Sequence, residues 1–290
     1  MAVEIASLKS IGTGLVRPEG VMALDDGTLI AADAQGCCAR IQRDGRVTLF
    51  GDLGGVPNGI CIDPEGHVIV ANIGNGQVQR LSTDGGHTVL LTHAEERRMA
   101  APNFPWVDSK GRLWVSNSTE KEDINAALTH PAPDGSVVLI DNGRARIVAD
   151  GLYFANGLAL DRDEAFLYVA HTMRSNILRY AIRSDGSLGP AEIFGPNPLS
   201  AQGFPDGIAF DEAGNLWITF PQRNAVGYLT PAGELVMYLE DPERKVFQRP
   251  ANICFGGQDR RTAYIGNLDG TTIPYFQVPH PGLRLIHQRL

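Results

Sequence analysis

The chain has 290 residues, of which 43% are hydrophobic and 20% charged, and a formal net charge of −8. That length suits one large domain or two ordinary ones. The acidity excludes an extended phosphate-binding face, because nucleic-acid affinity rests on Lys and Arg neutralising the backbone.

The opening Met1-Ala2-Val3-Glu4 lacks a basic region followed by an apolar core, and no run approaches the ~18 apolar residues of a membrane span. A cytoplasmic protein with no membrane contact is expected. Cys37, Cys38, Cys61 and Cys254 show no C-x-x-C pair and no zinc-ligand spacing, so they read as buried small apolar residues in a reducing compartment.

One unit then recurs six times. A polar residue opens a short apolar run, a Gly- or Asp-containing turn follows, and a second run begins. The openings are Glu19-Gly-Val-Met-Ala-Leu-Asp, Asn58-Gly-Ile-Cys-Ile-Asp, Asn103-Phe-Pro-Trp-Val-Asp, Asn156-Gly-Leu-Ala-Leu-Asp, Asp206-Gly-Ile-Ala-Phe-Asp and Asn252-Ile-Cys-Phe-Gly-Gly, with first residues 39, 45, 53, 50 and 46 positions apart. That interval brackets a four-stranded propeller blade. In five units an Asp starts the tight turn, at Asp25, Asp63, Asp108, Asp161 and Asp211, where its carboxylate can bond nearby backbone N–H groups. The second runs, such as His67-Val-Ile-Val-Ala and Asn215-Leu-Trp-Ile-Thr, are rich in β-formers. Weaker third and fourth strands follow, for example Ala39 to Gln42 and Val47 to Phe50.

Residues 1–290 are therefore expected to form a single all-β domain, a six-bladed β-propeller whose four-stranded antiparallel blades surround a central channel. Two β-sandwiches would also use short strands, but they do not need six copies of one unit. The ring should close by pairing of the N- and C-terminal segments, with Glu4 to Ile11 as the outer strand of the last blade; Leu283 to Leu290 competes for that place.

Within a blade the start of the first strand and the end of the second share one mouth. This gives a first ring of Glu19, Asn58, Asn103, Asn156, Asp206 and Asn252. A second ring follows of Asp33, Asn72, Asn117, His171, Phe220 and Asn267. Asn and Asp often merely cap strand ends. Glu19 and Asp206 fit that role poorly, because two acids in one narrow channel repel unless a cation or proton compensates. A hard divalent ion held by oxygens would resolve the conflict, and a zinc-type N/S site is less natural with only His171 nearby.

The runs Asn156-Gly-Leu-Ala-Leu-Asp and Pro205-Asp-Gly-Ile-Ala-Phe-Asp-Glu-Ala-Gly-Asn-Leu-Trp-Ile-Thr, with Cys254-Phe-Gly-Gly and Pro18-Glu19-Gly, resemble the SMP-30/gluconolactonase (regucalcin-like) family of six-bladed propellers. The resemblance covers most of the chain. It implies one divalent metal ion held by Glu19, Asn156 and Asp206, calcium first and zinc, manganese, magnesium or iron as alternatives, with Asn103 beside it. Many members are lactonases. The chain departs from the sugar-lactone members where Phe104-Pro105 replaces the usual Asp-Gly and Ala101 replaces a basic residue.

The expected reaction is metal-dependent hydrolysis of a small-molecule lactone or ester. Asp206 is the base that the resemblance implies, and His171 is the alternative, with an ordinary pKa near neutrality. Candidate substrate contacts are Asn103, Phe104, Asn117, Phe154 and Phe220, with Tyr153 also near and Trp106 read as blade packing. Glu120 joins them from the long link Ser118 to Asp134, which resembles a lid. Rival readings are a non-catalytic metal-binding or regulatory propeller, an aryl-ester or organophosphate hydrolase, and a carbon–carbon bond-forming relative resembling strictosidine synthase. Gly54-Gly55 and Gly256-Gly257 are turn glycines without the context of a phosphate loop. The sequence sets no oligomeric state.

Overall fold

Each opening run becomes the innermost strand of a blade. In the computed structural model, which describes residue 5 and residues 8–288, these strands are Val21–Ala23, Pro57–Ile62, Pro102–Val107, Ala155–Leu160, Ile208–Phe210 and Pro250–Gly256. Each pairs with a nearly all-buried second strand: Leu29–Asp33, Val68–Asn72, Leu113–Asn117, Phe166–His171, Leu216–Phe220 and Thr262–Asn267. Two further strands complete every blade, giving six four-stranded antiparallel sheets. Neighbouring inner strands touch in cyclic order, the first blade meeting both the second and the sixth. The fold is a six-bladed β-propeller.

The turn after each inner strand is tied as its sequence implies. Asp108 Oδ1 accepts the Lys110 and Arg112 N–H groups, while its Oδ2 accepts Arg112 Nε at 2.7 Å and Trp114 Nε1 at 2.9 Å. Asp211 repeats the pattern with Asn215 and Trp217. In the first blade Asp26, rather than Asp25, accepts the Thr28 N–H. Trp114, Trp217, Phe220 and Phe247 are fully buried in the packing of the blades, and all four cysteines are buried free thiols.

The last blade settles which terminus closes the ring. Lys9–Ile11 pairs antiparallel with Ile273–Gln277, so the outer strand comes from the N-terminal side. Glu4, Ala6 and Ser7 of the expected strand lie outside the described residues, as do Arg289 and Leu290. The segment from Leu283 does not join that edge. Pro279 and Pro281 cannot donate to a ladder, and the chain instead crosses the mouth opposite the two polar rings. There Leu283 N–H bonds Phe210 O at 2.8 Å, and His287 Nε2 meets Ala23 O at 3.2 Å. Among the described residues no helix is long and apolar enough to cross a membrane.

Besides short 3-10 turns, a hairpin of His93–Ala94 with Arg97–Arg98 and a helix, Ile124–Thr129, in the link between the second and third strands of blade three, stand outside the repeat. The hairpin and the helix lie on the side of the two polar rings.

Neighbouring inner strands approach closely at that mouth. A Cβ on Gly157 would stand 2.5 Å from Asp206 O, and one on Gly207 would stand 2.6 Å from Ala251 O. Gly157→Ala should therefore lower unfolding stability by about 1–3 kcal/mol through overpacking. Urea titration checks this, and an unchanged midpoint would show that the blades do not meet so tightly.

Candidate active site

The first ring forms where the inner strands leave regular pairing. Register shifts fall at Pro57/Ile60, Pro102/Phe104, Ala155/Leu158 and Pro250/Asn252. They bracket or abut Asn58, Asn103, Asn156 and Asn252, and such bulges re-aim side chains near sites. Glu19 and Asp206 lie just before their paired stretches. All six side chains are buried.

Three of them are joined by hydrogen bonds. Asn58 Nδ2 donates to Glu19 Oε1 at 2.7 Å and to Asn103 Oδ1 at 3.2 Å. Beside Asp206, Asn156 Nδ2 donates to Thr172 Oγ1 at 3.2 Å. Burial, reinforced by the charge of Glu19, pushes the Asp206 carboxyl well above the usual carboxylate range, against the opposing influence of Arg17, Asn156 and Arg249. Two fully buried atoms of the ring lack hydrogen bonds, Glu19 Oε2 and Asn252 Nδ2. Such orphans are uncommon in buried sites.

Arg17 was not singled out by the sequence. Its Nη1 donates to Asn58 Oδ1 at 3.0 Å, and its Nη2 lies 2.6 Å from Glu19 Oε2 in a charge contact without hydrogen-bond alignment. The signal available was its place two residues before Glu19 in Arg17-Pro18-Glu19.

The second ring does different work. Asp33, Asn72, Asn117, His171 and Asn267 each accept, through the side chain, a backbone N–H of the segment entering their own blade: Val16, Val56, Ala101, Tyr153 and Gln248 respectively. These side chains fix the loops that carry the first ring, which is the capping role Asn and Asp often take. Asn117 spends its Nδ2 on Thr119 O, so it stands behind the site. Phe220 is fully buried and takes no part in this bonding.

His171 is held at both nitrogens, with Nε2 accepting Tyr153 N–H at 2.7 Å and Nδ1 facing Asn176 Oδ1 at 3.1 Å. That pairing sets the neutral Nδ1–H tautomer. Burial lowers its pKa to about 4 despite the Asn176 bond, with Arg174 adding to the decrease. Its one acceptor nitrogen is committed, and it does not line the cavity; abstracting a proton from water would first require breaking the Tyr153 bond.

Above the first ring lies a cavity of about 500 Å³. Glu19, Asn58, Asn103, Asn156 and Asp206 line its floor, with Arg17, Thr172 and Phe154 around them. Phe104 and Trp106 face a small apolar space deeper in the channel, closed below by Leu283 and Leu285. Glu120 turns outward to Arg97 at 3.1 Å; the expected lid reaches the cavity through Ile124, Asn125 and Leu128 instead. Their apolar spacing was hidden in a segment read for its charges.

Asp63, Glu65 and His67 form a second acidic cluster, on the turn at the opposite mouth. Arg80 already bonds both carboxylates, at 2.7 and 3.0 Å.

Residues 85–268 match the family model described as the SMP-30/gluconolactonase/LRE-like region. The chain belongs to this family. A 6-deoxy-6-sulfogluconolactonase from Pseudomonas putida is 31% identical over 175 residues, covering 60% of this chain and 55% of the relative. Strictosidine synthase-like protein 6 of Arabidopsis thaliana is 29% identical over 224 residues, 73% of this chain and 58% of that protein. The chain thus spans just over half the length of these curated relatives. In fold, it matches a gluconolactonase from Xanthomonas campestris with a TM-score of 0.77 over 96% of this chain and 94% of that one, at 23% identity. A calcium-binding regucalcin from Agrobacterium tumefaciens gives 0.73 over 94% and 95%, at 17% identity. SMP-30-type chains therefore share this scaffold with differently named relatives, and the site must be argued from its own side chains.

The geometry of His171 carries a prediction for this family member. Its folded pKa near 4 lies below the ordinary 6.5, so the unfolded chain binds the extra proton between those values. Its contribution to stability is complete above about pH 6.5 and is lost as pH falls toward 4. Urea unfolding at about pH 7.5 and pH 5 should show a smaller acid loss in His171→Gln than in the parent; equal losses would contradict a buried neutral imidazole.

Proposed function

We propose that the chain is a divalent-metal-dependent lactonase that opens a cyclic ester to its hydroxy acid on the floor of the first ring. The observation that carries this reading is the convergence of two buried carboxylates, Glu19 and Asp206, with the amides of Asn103 and Asn156 on one cavity. Gluconolactonases among the relatives support the reaction class.

The donor set fits a hard cation. It consists of oxygens, two of them carboxylates that repel each other when ionised, and Glu19 Oε2 has a charge contact with Arg17 but no hydrogen bond. Calcium suits such a set best, and the calcium-binding regucalcin of the same fold agrees with it. Zinc, manganese, magnesium and iron are the alternatives. Glu19, Asn156 and Asp206 would hold the ion, which when bound supplies polarisation of the lactone carbonyl and stabilisation of the developing oxyanion.

The remaining roles belong to side chains. Asn58 fixes the orientation of Glu19 and Asn103 together. Because Asn103 Oδ1 accepts from Asn58, its own amide hydrogens are left to donate to the ester. Asp206 takes a proton from the attacking water as the new C–O bond forms, and returns it to the ring oxygen as the acyl C–O bond breaks. Burial and the Glu19 charge raise the proton affinity of Asp206, which moves a carboxylate toward the range a general base needs. Phe154 and the lid helix limit solvent access to this floor.

A panel of sugar, aliphatic and aromatic lactones, with aryl esters beside them, tests the reading on chelator-treated protein resupplied with single ions. Turnover should require an ion, and Asp206→Asn should reduce kcat by about a hundredfold or more. Turnover of no lactone with any ion would overturn the proposal. Ion binding without turnover would make the chain a binding propeller, and selective cleavage of aryl esters would make it a different hydrolase on the same site.

A further inference from the structure

The cavity has a polar floor but an apolar wall over much of its circumference. Val56 and Ile73 line it from blade two, Ile124 and Leu128 from the short helix, Phe154 from blade four and Phe204 from the segment entering blade five. Ile124 and Leu128 are four residues apart, so they project from one face of the helix. The buried Ala127 seats the helix against the blades.

The helix is anchored where it stands. Asp123 caps it by accepting Asn125 N–H at 2.9 Å, and Lys121 Nζ bonds the carbonyls of Ala126 and His130. Ion pairs of Arg97 with Glu120 and of Arg98 with Glu122 tie its approach to the neighbouring hairpin.

This wall leaves hydrocarbon in contact with solvent. Leu128 is 39% exposed, and Val56, Ile73, Ile124 and Phe204 are only half-buried. A polyol would find few partners along it, since the Thr172 hydroxyl already donates to Pro205 O at 2.7 Å. Of the polar side chains above the floor, Gln222, Arg249 and Asp269 stand on the side of blades five and six, among Pro221 and Leu268, and only Asn125 stands on the helix side.

From this asymmetry we infer that the substrate is a lactone carrying a hydrocarbon arm, which lies against blades two to four and the Ile124–Leu128 face while the ester sits on the polar floor. This inference rests on the lactonase reading and specifies its substrate class. Burial of the arm removes apolar surface from water on both sides, which corresponds to about a fourfold gain per methylene where burial is complete.

The experiment measures kcat/KM for γ-lactones from γ-butyrolactone to γ-dodecalactone, beside glucono-δ-lactone, with the metal-loaded protein. The value should rise with arm length by up to about fourfold per methylene, and the longer alkyl lactones should exceed the sugar lactone. Leu128→Asp should flatten that slope, and the milder Leu128→Ala should flatten it partly. A preference for the sugar lactone, or a slope that neither variant changes, would overturn the inference while leaving the lactonase reading intact. If no lactone is turned over, the lactonase reading fails separately, and calorimetric binding of 4-hydroxyalkanoates then tests the arm site: affinity that does not grow with chain length overturns it.

Discussion

The close approach of neighbouring inner strands at one mouth of the channel is the constraint on which the site depends. Six strands can converge there only where one blade leaves room for the backbone of the next, as Gly157 does for Asp206 and Gly207 for Ala251. Convergence brings polar strand openings together that are 39 to 53 residues apart in sequence. The same crowding removes them from water, so the chemistry of the ring follows from its packing. Backbone groups at the mouth cannot all pair in ladders, and the second ring of side chains takes over that task from behind.

Burial sets the electrostatics. Asp206 and Glu19 share one floor, and the charge of Glu19 adds to the burial that makes Asp206 harder to ionise. The protein answers in part with Arg17, whose guanidinium stands against Glu19. It does not satisfy the whole floor, because Glu19 Oε2 and Asn252 Nδ2 remain without hydrogen bonds. On the proposed reading, the two carboxylates of this floor receive a cation and the apolar wall above them receives hydrocarbon. The floor would then hold the ion and the ester, and the wall the hydrocarbon arm.

Much of this was legible in the sequence because the propeller is a repeat. Six similar units fixed the blade count, the strand order and the common mouth of Glu19, Asn103, Asn156 and Asp206. The features that escaped are those the repeat does not encode. Arg17 lies in a loop before the first unit, and nothing in one sequence shows that its side chain folds back onto Glu19. His171 looked reactive because its type titrates near neutrality, whereas a backbone N–H from Tyr153 occupies its acceptor nitrogen. Glu120 was favoured by its closeness in sequence to the channel, but its side chain pairs with Arg97 instead. Phe104 and Phe220 pack below and behind the floor, because alternation along a strand turns neighbouring side chains away from each other. The C-terminal segment kept its β-like composition and lost its place in the last blade to two prolines.

The central claim is that the first ring forms one cation site. Calorimetric titration of calcium, manganese and zinc into chelator-stripped protein tests it directly, with Glu19→Gln and Asp206→Asn titrated alongside. The account predicts that at least one of these ions binds the parent protein with one site per chain, and that each substitution removes or severely weakens that site while leaving the protein folded by circular dichroism. No binding of any of the three ions to the parent, or binding that both variants retain unchanged, would contradict it.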